Sequence, residues 1–80
     1  MYKMGKTYEI TIHLIGGEKI KARRFVEHST DLWLDQMEVK DAISDRGRFV
    51  VGNEDDDQLI VIPQTSVLYM TINEEMEEER

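Results

Sequence analysis

The sequence predicts a mainly β fold: one small, strongly bent barrel of five or six short strands. Apolar and polar residues alternate with period 2 through residues 8–14 and again around 20–23, as half-buried strands require. Turn residues punctuate the chain at short intervals, at Gly16-Gly17, Asp45-Arg46-Gly47 and Pro63-Gln64-Thr65-Ser66. Two β-rich runs, 59–62 and 67–72, flank the last of these with almost no connecting residues, so one tight corner joins them.

Eighty residues with 40% hydrophobic content allow one domain with a modest core. The barrel is assigned to 8–72, with an N-terminal arm at 1–7 and an acidic tail at 73–80. There is no cysteine, so neither disulfides nor thiolate metal sites reinforce that core, and association with further copies is the usual remaining route. The lack of cysteine also fits a reducing cytoplasm. No apolar run approaches the roughly 20 residues that cross a bilayer, and residues 1–6 lack the apolar segment of a signal peptide. A cytoplasmic protein without membrane contact is expected.

Net charge is −7 and unevenly placed. Residues 1–48 hold nine Lys and Arg against eight Asp and Glu, a balance of +1; residues 49–80 hold one Arg against nine acids, a balance of −8. The excess lies in Glu54-Asp55-Asp56-Asp57 and in residues 74–79. Such a field repels phosphates at long range and favours basic partners.

In the first hairpin, Tyr8, Ile10, Ile12 and Leu14 face one way, and Glu9, Thr11 and His13 the other. A two-residue Gly16-Gly17 loop sets Leu14 opposite Lys19 and brings basic side chains onto the apolar face. A three-residue loop, Gly16-Gly17-Glu18, instead sets Leu14 opposite Ile20, Ile12 opposite Ala22 and Tyr8 opposite Val26. That register is expected, with a glycine at positive φ and a bulge at the tip. It places Lys21 beside His13 and Arg23 beside Thr11 on the outer face.

Asp31-Leu32-Trp33-Leu34-Asp35 alternates like a short strand with Leu32 and Leu34 inward. The apolar residues of 29–44 spread too far around a helical wheel to form one stripe. A strand followed by an irregular or one-turn helical insertion within 36–46 is therefore expected. Residues 48–52 and 59–62 then flank a polar loop and form a second hairpin. Pro63 has no N–H for a ladder, so the strand ends there, and the Gln64-Thr65-Ser66 turn leads into the last strand, 67–72.

These residues resemble the Sm-like proteins, the fold shared with bacterial Hfq. Leu14-Ile15-Gly16-Gly17, Ile20-Lys21-Ala22 and Asp31-Leu32-Trp33-Leu34-Asp35 follow the order of the first Sm motif. The stretch Ile62-Pro63-Gln64-Thr65-Ser66-Val67-Leu68-Tyr69-Met70 has the spacing of the second. The resemblance implies a bent barrel whose copies associate edge to edge into rings. The RNA-binding residues are not kept: Pro63-Gln64 stands where the family has Arg-Gly, and Asp31 where it has an RNA-contacting Asn.

No nucleophile, base and orienting acid assemble from the sequence, so no catalytic residue, metal or cofactor is assigned. His13 is read as a solvated surface residue, and Glu54-Asp55-Asp56-Asp57 lacks the glycine and distal Glu of a calcium loop. Trp33, Tyr69 and Phe25 are read as core or interface. Val67, Leu68, Tyr69 and Met70 make the last strand apolar on both faces, which marks it as an oligomer interface.

The expected function is a self-associating, non-catalytic module that engages a basic protein through Glu54, Asp55, Asp56, Asp57, Glu74 and Glu75. Small acidic, cysteine-free domains of this type are common among phage and mobile-element regulators. The alternative is a ring-forming nucleic-acid or nucleotide binder that uses Lys19, Lys21, Arg23 and Gln64.

Overall fold

The computed structural model describes residues 5–53 and 57–75. Of these, 57% lie in strands and 22% are helical. The elements are β1 (Lys6–Leu14), β2 (Lys19–Val26), α1 (Leu32–Ile43), β3 (Ser44–Asp45), β4 (Arg48–Asn53), β5 (Gln58–Pro63), a 3-10 turn (Gln64–Ser66) and β6 (Val67–Glu74). They form two antiparallel three-stranded sheets, ordered β2-β1-β6 and β3-β4-β5.

The sheets are open, which corrects the expected closed barrel. Closure needs a strand that bends from one sheet into the other. Here the chain leaves β2 at Val26 and enters a helix instead. The core lies where the two sheets and α1 meet. Tyr8, Ile10, Ile12, Ala22 and Val26 come from the first sheet, Val39 and Ile43 from α1, and Phe49, Val51 and Ile62 from the second sheet.

The first hairpin has a three-residue loop, but its frame differs from the expected one by one residue. Ile12 stands opposite Ile20, Ile10 opposite Ala22 and His13 opposite Lys19. Leu14 faces Glu18 rather than Ile20: its N–H donates to the Glu18 carbonyl at 2.9 Å, while its carbonyl accepts from Gly17 N–H at 2.9 Å. The loop is thus Ile15-Gly16-Gly17, and Gly17 at φ 102° takes its left-handed third position. The expected frame needs Glu18 in that conformation, which a side chain disfavours. Inner and outer faces are unchanged, because the shift in pairing is by two positions. The outer neighbours do change: Lys21 stands beside Thr11, and Arg23 beside Glu9.

Residues 32–43 form a helix of 12 residues, not a strand and insertion. Asp31 is its N-cap, accepting from Trp33 N–H at 2.8 Å and from Leu34 N–H at 3.4 Å. Asp35, Val39 and Ile43 recur at i, i+4 and i+8 and form the buried stripe. Leu32 and Leu34, expected inward, are more than half exposed at 52% and 56%.

The second hairpin is found where expected. Arg46 (φ 53°) and Gly47 (φ 85°) make the two-residue turn between Asp45 and Arg48. Phe49 pairs with Ile62 and Val51 with Ile60 across β4 and β5. Pro63 ends β5, and the 3-10 turn leads into β6, which pairs with β1 through a bulge at His13/Leu14.

Candidate functional site

The one buried charged side chain among the described residues is Asp35, 1% exposed. Tyr8 Oη donates to its Oδ2 at 2.8 Å, Ser29 Oγ donates to the same oxygen at 2.6 Å, and the Thr30 N–H donates to Oδ1 at 3.1 Å. The Ser29 hydroxyl bond, aided by Tyr8, Thr30 and the charge of Lys6, holds the carboxyl below its ordinary range despite the opposing effect of burial. Burial, then the bond to Asp35, pushes the Tyr8 phenol up to about 12. A carboxylate saturated by three donors serves the architecture, tying α1 and residues 29–30 to β1. A strand pattern over 31–35 hides Asp35. The capping Asp31, followed by Asp35, Val39 and Ile43 at helical spacing, is the signal that finds it.

The outer face of the β2-β1-β6 sheet gathers most of the polar candidates. Cross-strand register aligns Lys19, His13 and Tyr69 in one row, Lys21, Thr11 and Thr71 in the next, and Arg23, Glu9 and Asn73 in a third. His13 and Tyr69 stack with ring centroids 4.1 Å apart and planes at 15°, a pair that the single-strand pattern does not reveal. Tyr69, Phe25 and Trp33 are 52%, 48% and 59% exposed, so none belongs to the core. Phe25 lies over Gly5, where a Cβ would overlap its ring.

Two acids of the C-terminal run are engaged at this end of the sheet. Arg23 Nε and Nη2 each donate to Glu75, both at 3.1 Å, and Lys6 Nζ lies 3.6 Å from Glu74 Oε2. Gln64 is not grouped with the basic row by any of these contacts; its N–H donates to the Gly47 carbonyl at 3.0 Å. Asp57 is exposed with φ 54°, while Glu54, Asp55 and Asp56 lie outside the described residues.

Of the four edge strands, β2, β6, β3 and β5, two present aliphatic residues along the edge, β5 and β6. Gln64 N–H bonding to Gly47 makes the even-numbered β5 residues the partners of β4, so Leu59 and Val61 turn their backbone groups outward. Glu75 N–H bonding to the Thr7 carbonyl at 2.8 Å likewise leaves Met70 and Ile72 outward on β6. Beside β6 runs a groove of about 310 Å³ lined by Trp33, Gln36, Met37, Lys40, Met70 and Ile72. Gln36 Nε2 donates to the Ile72 carbonyl at 2.7 Å and covers one acceptor of that edge.

Among the described residues, no group of three potential metal ligands is present, and no helix is long and apolar enough to cross a membrane. Comparison with protein-family models, curated proteins and solved structures finds no match.

Proposed function

We propose that this protein is a non-catalytic binding module that works as an assembly of its own copies, with β5 of one copy added to β6 of the next. The observation that carries this reading is that, of the four sheet edges, those of β5 and β6 match. Leu59 and Val61, with side chains 71% and 50% exposed, are the β5 residues whose backbone groups face outward. Met70 and Ile72 are their counterparts on β6. In an antiparallel pair, residues that exchange hydrogen bonds also share a face. Setting Val61 opposite Met70 therefore sets Leu59 opposite Ile72, and both aliphatic side chains enter the groove beside Trp33 and Met37.

Such a contact joins two different edges, so it propagates head to tail and either closes into a ring or continues as a filament. The Sm-like relationship is part of this proposal. It rests on the sequence spacing of 14–22 and 62–70 alone, since 31–35, the remaining part of the first motif, begins a helix. The basic-partner reading rests on sequence charge and is weaker at Glu74 and Glu75, which Lys6 and Arg23 engage.

Native mass measurement and light scattering across a concentration series test the proposal. Masses at whole multiples of the chain above two are expected. A monomer persisting at high micromolar concentration overturns it.

A further inference from the structure

We propose that Gln36 is a latch on the β6 edge: its side-chain amide holds the Ile72 carbonyl in the free chain and lets go when β5 of a second copy arrives. The latch rests on the assembly reading above and supplies its control.

The contact joins residues far apart in the chain. Gln36 Nε2 donates to the Ile72 carbonyl at 2.7 Å, across 36 residues. Because Glu75 N–H donates to the Thr7 carbonyl, the odd-numbered residues of β6 bond to β1, and the Ile72 carbonyl points to the open side. An unpaired carbonyl on an edge is part of what an incoming strand recognises. Here the helix reaches it first. Asp35 is tied to Tyr8 at 2.8 Å, and Tyr8 and Ile10 stand opposite Glu74 and Ile72. That anchor sets the next residue of α1, Gln36, against the edge.

In the assembly, with Leu59 of one copy opposite Ile72 of the next, the same carbonyl is the acceptor for the Leu59 N–H. The Gln36 amide therefore stands in for a partner's backbone. Exchanging one amide donor for another leaves the number of hydrogen bonds unchanged, so pairing at this position contributes little by itself. The gain has to come from burial. Leu59 is the most exposed of the large hydrophobic side chains, and it enters the groove beside the exposed Trp33 and Met37. A strand with a polar residue at that position recovers the bond without the burial. Gln36 thus makes the edge selective: it opposes every incoming strand alike and leaves the advantage to one that brings an aliphatic side chain.

Native mass measurement over a concentration series tests this on the parent, Gln36→Met and Gln36→Asn. The first keeps the length of the side chain and removes the donor; the second keeps the amide but is one methylene short of the carbonyl. Both should assemble at concentrations about fivefold below the parent's, the worth of one neutral hydrogen bond. By NMR of the parent, a Gln36 side-chain amide proton should exchange slowly in the monomer and faster in the assembly. If the parent assembles and both variants need the same concentration or more, the latch is overturned and the assembly stands. Tightening in Gln36→Met alone also overturns the latch, because added apolar surface then accounts for it. If all three chains stay monomeric at high micromolar concentration, the assembly reading fails and the latch falls with it.

Discussion

Tyr8 and Asp35 join the central strand to the helix: the phenol donates to the buried carboxylate at 2.8 Å across 27 residues of chain. Neither group is exposed, at 0% and 1%. The carboxylate therefore depends on its three donors in place of water, and the helix depends on the carboxylate for its position.

Removing one donor should be costly. Tyr8→Phe keeps the ring in the core and deletes only the hydroxyl. A hydrogen bond to a charged group contributes about 1.5–3 kcal/mol, and each kcal/mol moves the melting temperature of a domain this small by about 4–8 °C. Thermal unfolding should thus show a drop of about 10 °C. A change under about 2 °C would show that water replaces the phenol.

The same pair sets a pH window with two limbs. Asp35 titrates below the ordinary carboxyl value of 3.8 in the folded chain, so it contributes stability that is present above 3.8 and lost as pH falls through its folded value. Tyr8 is raised from 10.0 to about 12, so its contribution is complete below 10.0 and lost as pH rises toward about 12. Urea midpoints measured against pH should fall on both sides. Tyr8→Phe should remove the alkaline limb attributable to this residue, and absorbance at the phenolate band should lose its latest-titrating step.

The loop frame predicts unequal glycines. A Cβ on Gly17 meets nothing within 4 Å, so Gly17→Ala is penalised by conformation alone, by about 1–2 kcal/mol for a left-handed residue. Gly16 has no such φ, and its Cβ would approach only the end of the Glu18 side chain, at 3.1 Å. Gly16→Ala should therefore be close to neutral. Denaturant unfolding of the two variants checks the order; equal losses would place the left-handed position elsewhere.

Assembly should respond to one backbone atom. Val61 directs its N–H away from β4, so Val61→Pro removes an edge donor without breaking the hairpin. The circular dichroism spectrum should be retained while the native mass falls toward that of the monomer. Val51→Pro instead deletes a donor that faces Ile60 within the β4–β5 ladder, and should unfold the protein. An unchanged assembly in Val61→Pro would remove β5 from the interface.

Much of this fold is written in local pattern. The alternation from Tyr8 to Leu14, the Arg46-Gly47 turn and the stop at Pro63 are properties of neighbouring residues, and strands and turns follow from them directly. The helix is written less legibly because its apolar residues mislead. Leu32, Trp33 and Leu34 are exposed, whereas the residue that points inward beside Val39 is an acid, Asp35. Hydrophobic patterning cannot find a helix whose buried stripe starts with a carboxylate; the Asp31 cap can. The His13–Tyr69 stack and the matching edges depend on register between segments far apart in the chain, where a one-residue change alters every neighbour. Whether two sheets close into a barrel depends on the same long-range pairing.

The position of β1 between β2 and β6 has a consequence for synthesis. Its first partner follows it immediately; its second is encoded only at residues 67–74, after the helix and the second hairpin. While the ribosome is making those intervening elements, β1 has an open edge, and the apolar face of Tyr8, Ile10 and Ile12 lacks its final neighbours. Contacts so distant in sequence slow folding and expose the nascent chain to aggregation. The interval before residues 67–74 emerge is when the chain most needs a chaperone, and a slowly translated codon shortly before them would prolong it.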